Sequence, residues 1–141
     1  MRTKRAAESG VTLIELMVVV TIIALFAAIV GPMLFKNVGK SQAVAAKSQI
    51  ESFNTALGTY KLDVGAFPTT EQGLQALRVK PGEVANWNGT YMPKDIPNDP
   101  WHHPYIYKYP GDHGDEPDIV SYGADGQPGG EGENADIVSW K

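Results

Sequence analysis

Ser9-Gly10-Val11-Thr12-Leu13-Ile14-Glu15-Leu16-Met17 opens a run in which, from Val11 to Phe35, Glu15 is the only ionisable side chain. As a helix that run would be about 37 Å long at ~1.5 Å per residue, enough to cross a hydrocarbon core of roughly 30 Å with some tilt. Arg2, Lys4 and Arg5 stand ahead of it, followed by a small-residue junction at Ser9-Gly10. The stretch predicts one membrane helix, with a carboxylate where lipid penalises it.

Glu15 is the anomaly. A charge inside a spanning helix either sits shallow and reaches the headgroups or serves a function with a partner at its own depth. Cutting the chain after Gly10 would supply that partner, because Val11 would become a free α-amine four residues before Glu15. The amine of one copy and the acid of its neighbour would neutralise each other in a low-dielectric medium. Identical helices would then stack at a fixed offset.

Gly10-Val11-Thr12-Leu13-Ile14-Glu15-Leu16-Met17 resembles the class III signal of type IV prepilins and pseudopilins, with Val11 where phenylalanine is usual. The resemblance implies that a prepilin peptidase in the membrane cuts between Gly10 and Val11 and methylates the new N-terminus. Cleavage there would remove a net charge of +2 (Arg2, Lys4 and Arg5 against Glu8), taking the side-chain charge from −4 to −6. An acidic remainder argues against nucleic acid as the main partner. Three basic residues before a span predict a cytoplasmic N-terminus and a C-terminal domain outside, which in a bacterium with two membranes is the periplasm. The chain has no cysteine, so any staple in an oxidising compartment must be something other than a disulfide.

Gly31-Pro32 interrupts the apolar pattern, because proline lacks a backbone donor and crowds the preceding turn. Either it kinks the helix, or, as the resemblance suggests, it marks a segment that melts when subunits pack. Beyond Phe35, Ala46, Ile50, Phe53, Leu57 and Tyr60 recur at spacings of four and three, a helical stripe. One helix is therefore expected from about Val11 to Leu62. Its apolar stripe would pack on a globular domain, leaving a polar face for neighbouring subunits.

Thr69 and Gln72 have capping-box spacing ahead of Leu74 and Leu77, which predicts a small docked helix. Phe67-Pro68-Thr69-Thr70-Glu71-Gln72-Gly73-Leu74-Gln75-Ala76-Leu77, after Tyr60-Lys61-Leu62-Asp63, is similar to the corresponding block of the major pseudopilins of type II secretion systems. Pro81 to Pro100 reads as a surface loop anchored by Trp87, Tyr91 and Ile96. Pro104 to Tyr109 and Asp118 to Tyr122 read as two strands paired around a turn at Pro110-Gly111. The family usually has glycine after Asp-Pro-Trp; here His102-His103 follow Asp99-Pro100-Trp101.

His102, His103 and His113 raise the question of a metal, but adjacent residues in a strand point to opposite faces and make poor co-ligands. No nucleophile stands beside a base in a recognisable spacing, and no phosphate-cradling glycine motif precedes a helix. An enzyme is not expected. Gly123-Ala124-Asp125-Gly126-Gln127-Pro128-Gly129-Gly130-Glu131-Gly132-Glu133-Asn134-Ala135-Asp136-Ile137 is glycine-rich and acidic. By composition it is either a solvated loop or a seat for a hard cation, which takes six to eight oxygens from carboxylates and turned-in carbonyls.

The resemblance implies the second. Ser121, Gly123, Asp125 and Gly126, then Asp136, Ile137 and Trp140, match the calcium loop of the pseudopilins. Carried over, Asp125 and Asp136 give side-chain oxygens, and Tyr122 and Gln127 give backbone carbonyls. Some members have a second aspartate where this chain has Ala135, which leaves Glu133 or Asn134 to supply a further oxygen. Ca2+ would clip the loop in place of a disulfide, and its binding energy would be folding energy.

The expected fold is α+β: a long N-terminal helix, its first half transmembrane, packed on a small antiparallel sheet with a calcium-binding C-terminal loop. Residues 1–10 would be a cleaved leader, 11–35 the transmembrane and polymerisation helix, and 36–141 a periplasmic globular domain. The function implied is that of a pseudopilus subunit: a homopolymer that grows from the inner membrane and pushes folded exoproteins through an outer-membrane channel. Minor pseudopilins, the inner-membrane assembly platform, the prepilin peptidase and membrane lipid would be its partners. Two alternatives are a type IV pilin for adhesion, motility or DNA uptake, which commonly carries a C-terminal disulfide, and a membrane-anchored metal-dependent periplasmic hydrolase using the histidines and acids around Asp112.

Overall fold

The computed structural model describes residues 10–141, and Lys36 by its backbone alone. Arg2, Lys4 and Arg5 lie outside the described residues. The element order is one long helix, a 3-10 turn, two strands, two further 3-10 turns and a third strand. The chain parts into two compact units between Asn37 and Val38.

Helix α1 runs from Leu13 to Val64, 52 residues. Thr12 starts it: its hydroxyl accepts from the Glu15 N–H at 3.3 Å, satisfying one of the orphan donors of the first turn. Gly65 stops it in a left-handed conformation at φ 92°, with its N–H on the Lys61 carbonyl at 2.8 Å. That glycine carries the helix two residues past the expected Leu62. The helix continues through Gly31-Pro32 without a break, although Pro32 leaves the Ala28 carbonyl without its helical donor.

In the first unit the helix is long and apolar enough to cross a membrane, and its most apolar window has no buried residue. The Thr21 hydroxyl donates to the Met17 carbonyl at 2.7 Å. Its polarity is thereby spent inside the helix, as a lipid environment requires.

In the second unit the stripe is core. Ala46, Ile50 and Phe53 are 0% exposed and Leu57 and Tyr60 1%. Phe53 meets Tyr105 edge-on at 5.1 Å between ring centroids, and Tyr60 meets Tyr91 at 5.3 Å. Trp87, Tyr91 and Ile96 pack against the same core, so the proline-rich loop is tied down where expected. The Trp87 indole N–H also donates to the Ala76 carbonyl at 2.9 Å.

The capping box forms: the Thr69 N–H donates to Gln72 Oε1 at 2.9 Å and the Gln72 N–H to Thr69 Oγ1 at 3.3 Å. The helix expected after it is cut short. A turn leads into one 3-10 turn, Leu74–Leu77, whose Leu74, Ala76 and Leu77 are buried. Gly73, at φ 59° and ψ −167°, cannot continue a helix and resets the chain.

Strand β1 is Ile106–Lys108, β2 is Asp118–Ser121 and β3 is Ile137–Val138, in an antiparallel sheet of order β1-β2-β3. Tyr107 lies opposite Ile119, and Ser121 opposite Ile137. β1 is shorter than the expected strand, because Pro104 and Pro110 flank it and neither can donate to a ladder. Tyr107 buries its ring and donates its hydroxyl to the Pro68 carbonyl at 2.8 Å. Burial raises this phenol, with Tyr109 and Tyr60 adding to the effect. Burial, and then the charge of Asp99, push the Tyr105 phenol up to about 12. Both stay protonated across ordinary pH.

Candidate functional site: the helix head and the C-terminal loop

Two places carry the sequence expectations. The first is the head of α1. Glu15 lies in the first turn, where the helix dipole favours a negative charge. Among the described residues it has no cationic partner: the ion pairs there are Arg78–Asp95, Lys108–Asp112 and His113–Asp118. Around it Val11, Leu13, Ile14, Leu16 and Met17 are exposed. A carboxylate on an exposed apolar surface, capped at its own N–H but unpaired at its oxygens, calls for a counter-charge from elsewhere.

The second is the loop between Ser121 and Ile137. The two residues face each other across β2 and β3, so the sheet closes the loop at its neck. Gly123 and Gly130 have φ of 66° and 88°. A Cβ on Gly123 would lie 2.8 Å from the Glu133 carbonyl oxygen and 2.9 Å from that of Ala135. The two arms of the loop therefore touch through backbone, and glycine is what allows it. Asp125 Oδ1 accepts from the Gln127 N–H at 3.0 Å, and Asp136 accepts from the Gly129 N–H at 3.0 and 2.9 Å with its two oxygens. Each carboxylate keeps further lone pairs.

Among the described residues no group of three His, Asp or Glu side chains is placed to hold a metal. The loop offers the carboxylates of Asp125 and Asp136 and the backbone carbonyls of Glu133 and Ala135 that close on Gly123, oxygen donors of the kind a hard cation takes. Ala135 lacks a carboxylate but brings its carbonyl over Gly123. The Glu133 side chain lies against Gly39 of α1. Of the two residues expected to add an oxygen, Asn134 is thus the one not committed to the helix.

The histidines lie in turns and loop, outside the strands. His102 has φ 72°, a left-handed conformation that glycine adopts at no cost. His103 sets Nδ1 3.1 Å from the Gly123 carbonyl oxygen, and a Cβ on Gly126 would meet its ring at 3.1 Å. His113 stacks on Trp140 with Nδ1 2.8 Å from Asp118 Oδ2. Asp112 pairs with Lys108 at 2.6 Å, and that hydrogen bond and charge hold its carboxyl below the usual range.

One central residue was not singled out from the sequence. Asp99 is 3% exposed. Its Oδ1 accepts from the N–H of Trp101 at 3.1 Å and of His103 at 2.8 Å, and its Oδ2 from the Ser121 hydroxyl at 2.5 Å. It joins the turn before β1 to the end of β2, where the loop begins. The signal available was Asn98-Asp99-Pro100, which reads as an ordinary turn.

The family described as Type II secretion system (T2SS), protein G matches residues 33–140, and the prokaryotic N-terminal methylation motif matches residues 5–31. The chain is 44% identical to the type II secretion system core protein G of Pseudomonas aeruginosa, over 97% of this chain and 98% of that protein. It is 45% identical to the core protein G of Vibrio cholerae, over 97% and 94%. A crystal structure of the major pseudopilin from the type 2 secretion system of enterohaemorrhagic Escherichia coli superposes with a TM-score of 0.65 at 37% identity, covering 76% of this chain and 93% of that one. A capped helix head that carries an acid, an amphipathic second half and a glycine-walled acidic loop are thus borne by a chain that belongs to the type II secretion system protein G family, the pseudopilins.

Proposed function

We propose that the chain is the major subunit of a pseudopilus that grows from the inner membrane and drives exoprotein export across the outer membrane. The observation that carries the reading is Glu15, a carboxylate with no cationic partner among the described residues, at the head of an exposed apolar helix just after Gly10-Val11. Prepilin peptidase would cut between Gly10 and Val11 and methylate the Val11 amine. That amine, on one copy, would meet Glu15 of the next and set the register of the fibre. Minor pseudopilins and the inner-membrane assembly platform would start and feed it. The N-terminus would face the cytoplasm and the domain the periplasm, with lipid around residues 11–35. The match to the protein G family favours this over an adhesion or motility pilin and over a tethered hydrolase.

Overproduction with the export machinery tests it. Surface or periplasmic fibres should appear, and mass spectrometry of their subunit should find methylated Val11 as the first residue. Full-length chain with Met1 still attached in the mature envelope would overturn the reading.

Asp125 and Asp136, with the carbonyls of Tyr122 and Gln127 and an oxygen from Asn134 or Glu133, would hold Ca2+. The ion would neutralise charge and clip two arms that otherwise meet through backbone and through the Asp136 carboxylate on the Gly129 N–H. At a calcium level about a thousandfold above Kd the clip adds roughly 4 kcal/mol. EGTA should therefore lower Tm of the full chain in detergent by several degrees, and added calcium should restore it. Asp125→Ala should melt at the EGTA temperature with or without calcium.

A further inference from the structure

The residues that would hold the cation are strung on a loop whose two ends share one strand pair, Ser121 opposite Ile137. Asp136 directly precedes β3 and Tyr122 directly follows β2. β3 has only two residues, too few to stay paired unaided.

Residues beyond it hold it down. The Ser139 N–H donates to the Ile119 carbonyl at 3.0 Å, and Ser139 Oγ accepts from the Ile119 N–H at 3.0 Å. Lys47, from α1, donates its ammonium to the Val138 carbonyl at 3.0 Å and also to the Lys141 carbonyl. On the other side Trp140 stacks on His113, with centroids 3.7 Å apart and planes 6° from parallel. His113 is itself held by Asp118, whose side chain is 9% exposed. None of these groups belongs to the set that would bind the ion.

We propose that Lys47, through Val138, and His113, through Trp140, are positioning residues that set the affinity of the Tyr122–Asp136 loop for a divalent cation. The inference rests on the calcium reading above. With the tail strapped down, the neck of the loop is closed and Asp136 stays in place relative to Asp125 before the ion arrives. Without the strap β3 frays, and the ion must close the loop itself, at a cost in chain entropy that weakens binding.

Charge alone predicts the opposite for Lys47. Its ammonium repels a cation, so on Coulomb grounds removing it would tighten binding. The sign of the effect separates the two accounts.

The test is calorimetric titration of calcium into the calcium-stripped full chain in detergent, alongside Lys47→Met, Lys47→Arg and His113→Ala. Lys47→Met and His113→Ala should each raise Kd by about tenfold, the usual scale for groups that orient metal ligands from behind. Lys47→Arg, which can still reach the Val138 carbonyl, should restore most of the affinity. Lys47→Gln, which keeps a neutral N–H donor group, covers the case in which methionine unfolds the domain, and should give a smaller loss of the same sign. Unchanged or tighter calcium binding by Lys47→Met or Lys47→Gln, even with a lower Tm in EGTA, would overturn the proposal and leave Lys47 a stabilising contact only. Failure of the unmodified chain to take up calcium would sink the calcium reading as well, and the two failures are told apart by that first titration.

Discussion

Glu15→Leu yields a chain that inserts into the inner membrane and is cut after Gly10, yet forms no fibres. Insertion should improve. On insertion scales leucine at the centre of a span is favourable by about 0.5 kcal/mol, whereas an aspartate there costs roughly 3 kcal/mol. A residue that hinders insertion calls for a role at another step. With no cation beside it among the described residues, the carboxylate is left to a neighbouring copy. Glu15→Gln keeps shape and hydrogen bonding but loses the charge, and should fail nearly as fully. Glu15→Asp keeps the charge on a shorter arm and should give fewer fibres. Immunoblots of sheared fibres against total membrane chain separate assembly from expression. Normal fibre yield from Glu15→Leu would refute the pairing role, because no other side chain from Val11 to Phe35 could replace the charge.

The helix was legible because its signals are local. The Ala46-to-Tyr60 stripe repeats at helical spacing, and Thr69 and Gln72 satisfy each other within one turn. Each is decided by residues within one or two turns of each other. The loop was legible in composition, since only glycine allows the Gly123 backbone to meet the carbonyls of Glu133 and Ala135.

β3 was not foreseen, because two residues have no alternation to read, and what fixes them is remote: Lys47 reaches Val138 across 91 positions of sequence. Asp99 was missed for the same reason. An aspartate before proline reads as a turn former, and nothing nearby says that its second oxygen is spent on Ser121, 22 residues on. Buried polar hubs are made by tertiary structure, so their sequence signature is weak even where their energetic weight is large.

That weight makes Asp99→Ala the most damaging single change expected in the domain. It removes three acceptor contacts at once and leaves the N–H groups of Trp101 and His103 and the Ser121 hydroxyl facing a cavity. An unsatisfied buried donor costs about 1–3 kcal/mol, and partial relaxation of the turn toward water brings the total to roughly 3–5 kcal/mol. For a domain of this size that is a fall in Tm of about 10–25 °C by thermal melt. Asp99→Asn should lose about half as much, because its remaining oxygen still accepts from both backbone donors while the Ser121 hydroxyl must turn to meet an amide. Asp95→Ala is the contrast. Asp95 also forms an ion pair, with Arg78 at 3.1 Å, but its side chain is 97% exposed, and its loss should leave Tm unmoved within error. If Asp99→Ala melted within a degree or two of the unmodified chain, the hub would carry no weight. Ser121 would then be fixed by the sheet alone, and the neck of the loop would depend on β2 and β3 without help from the turn beside them.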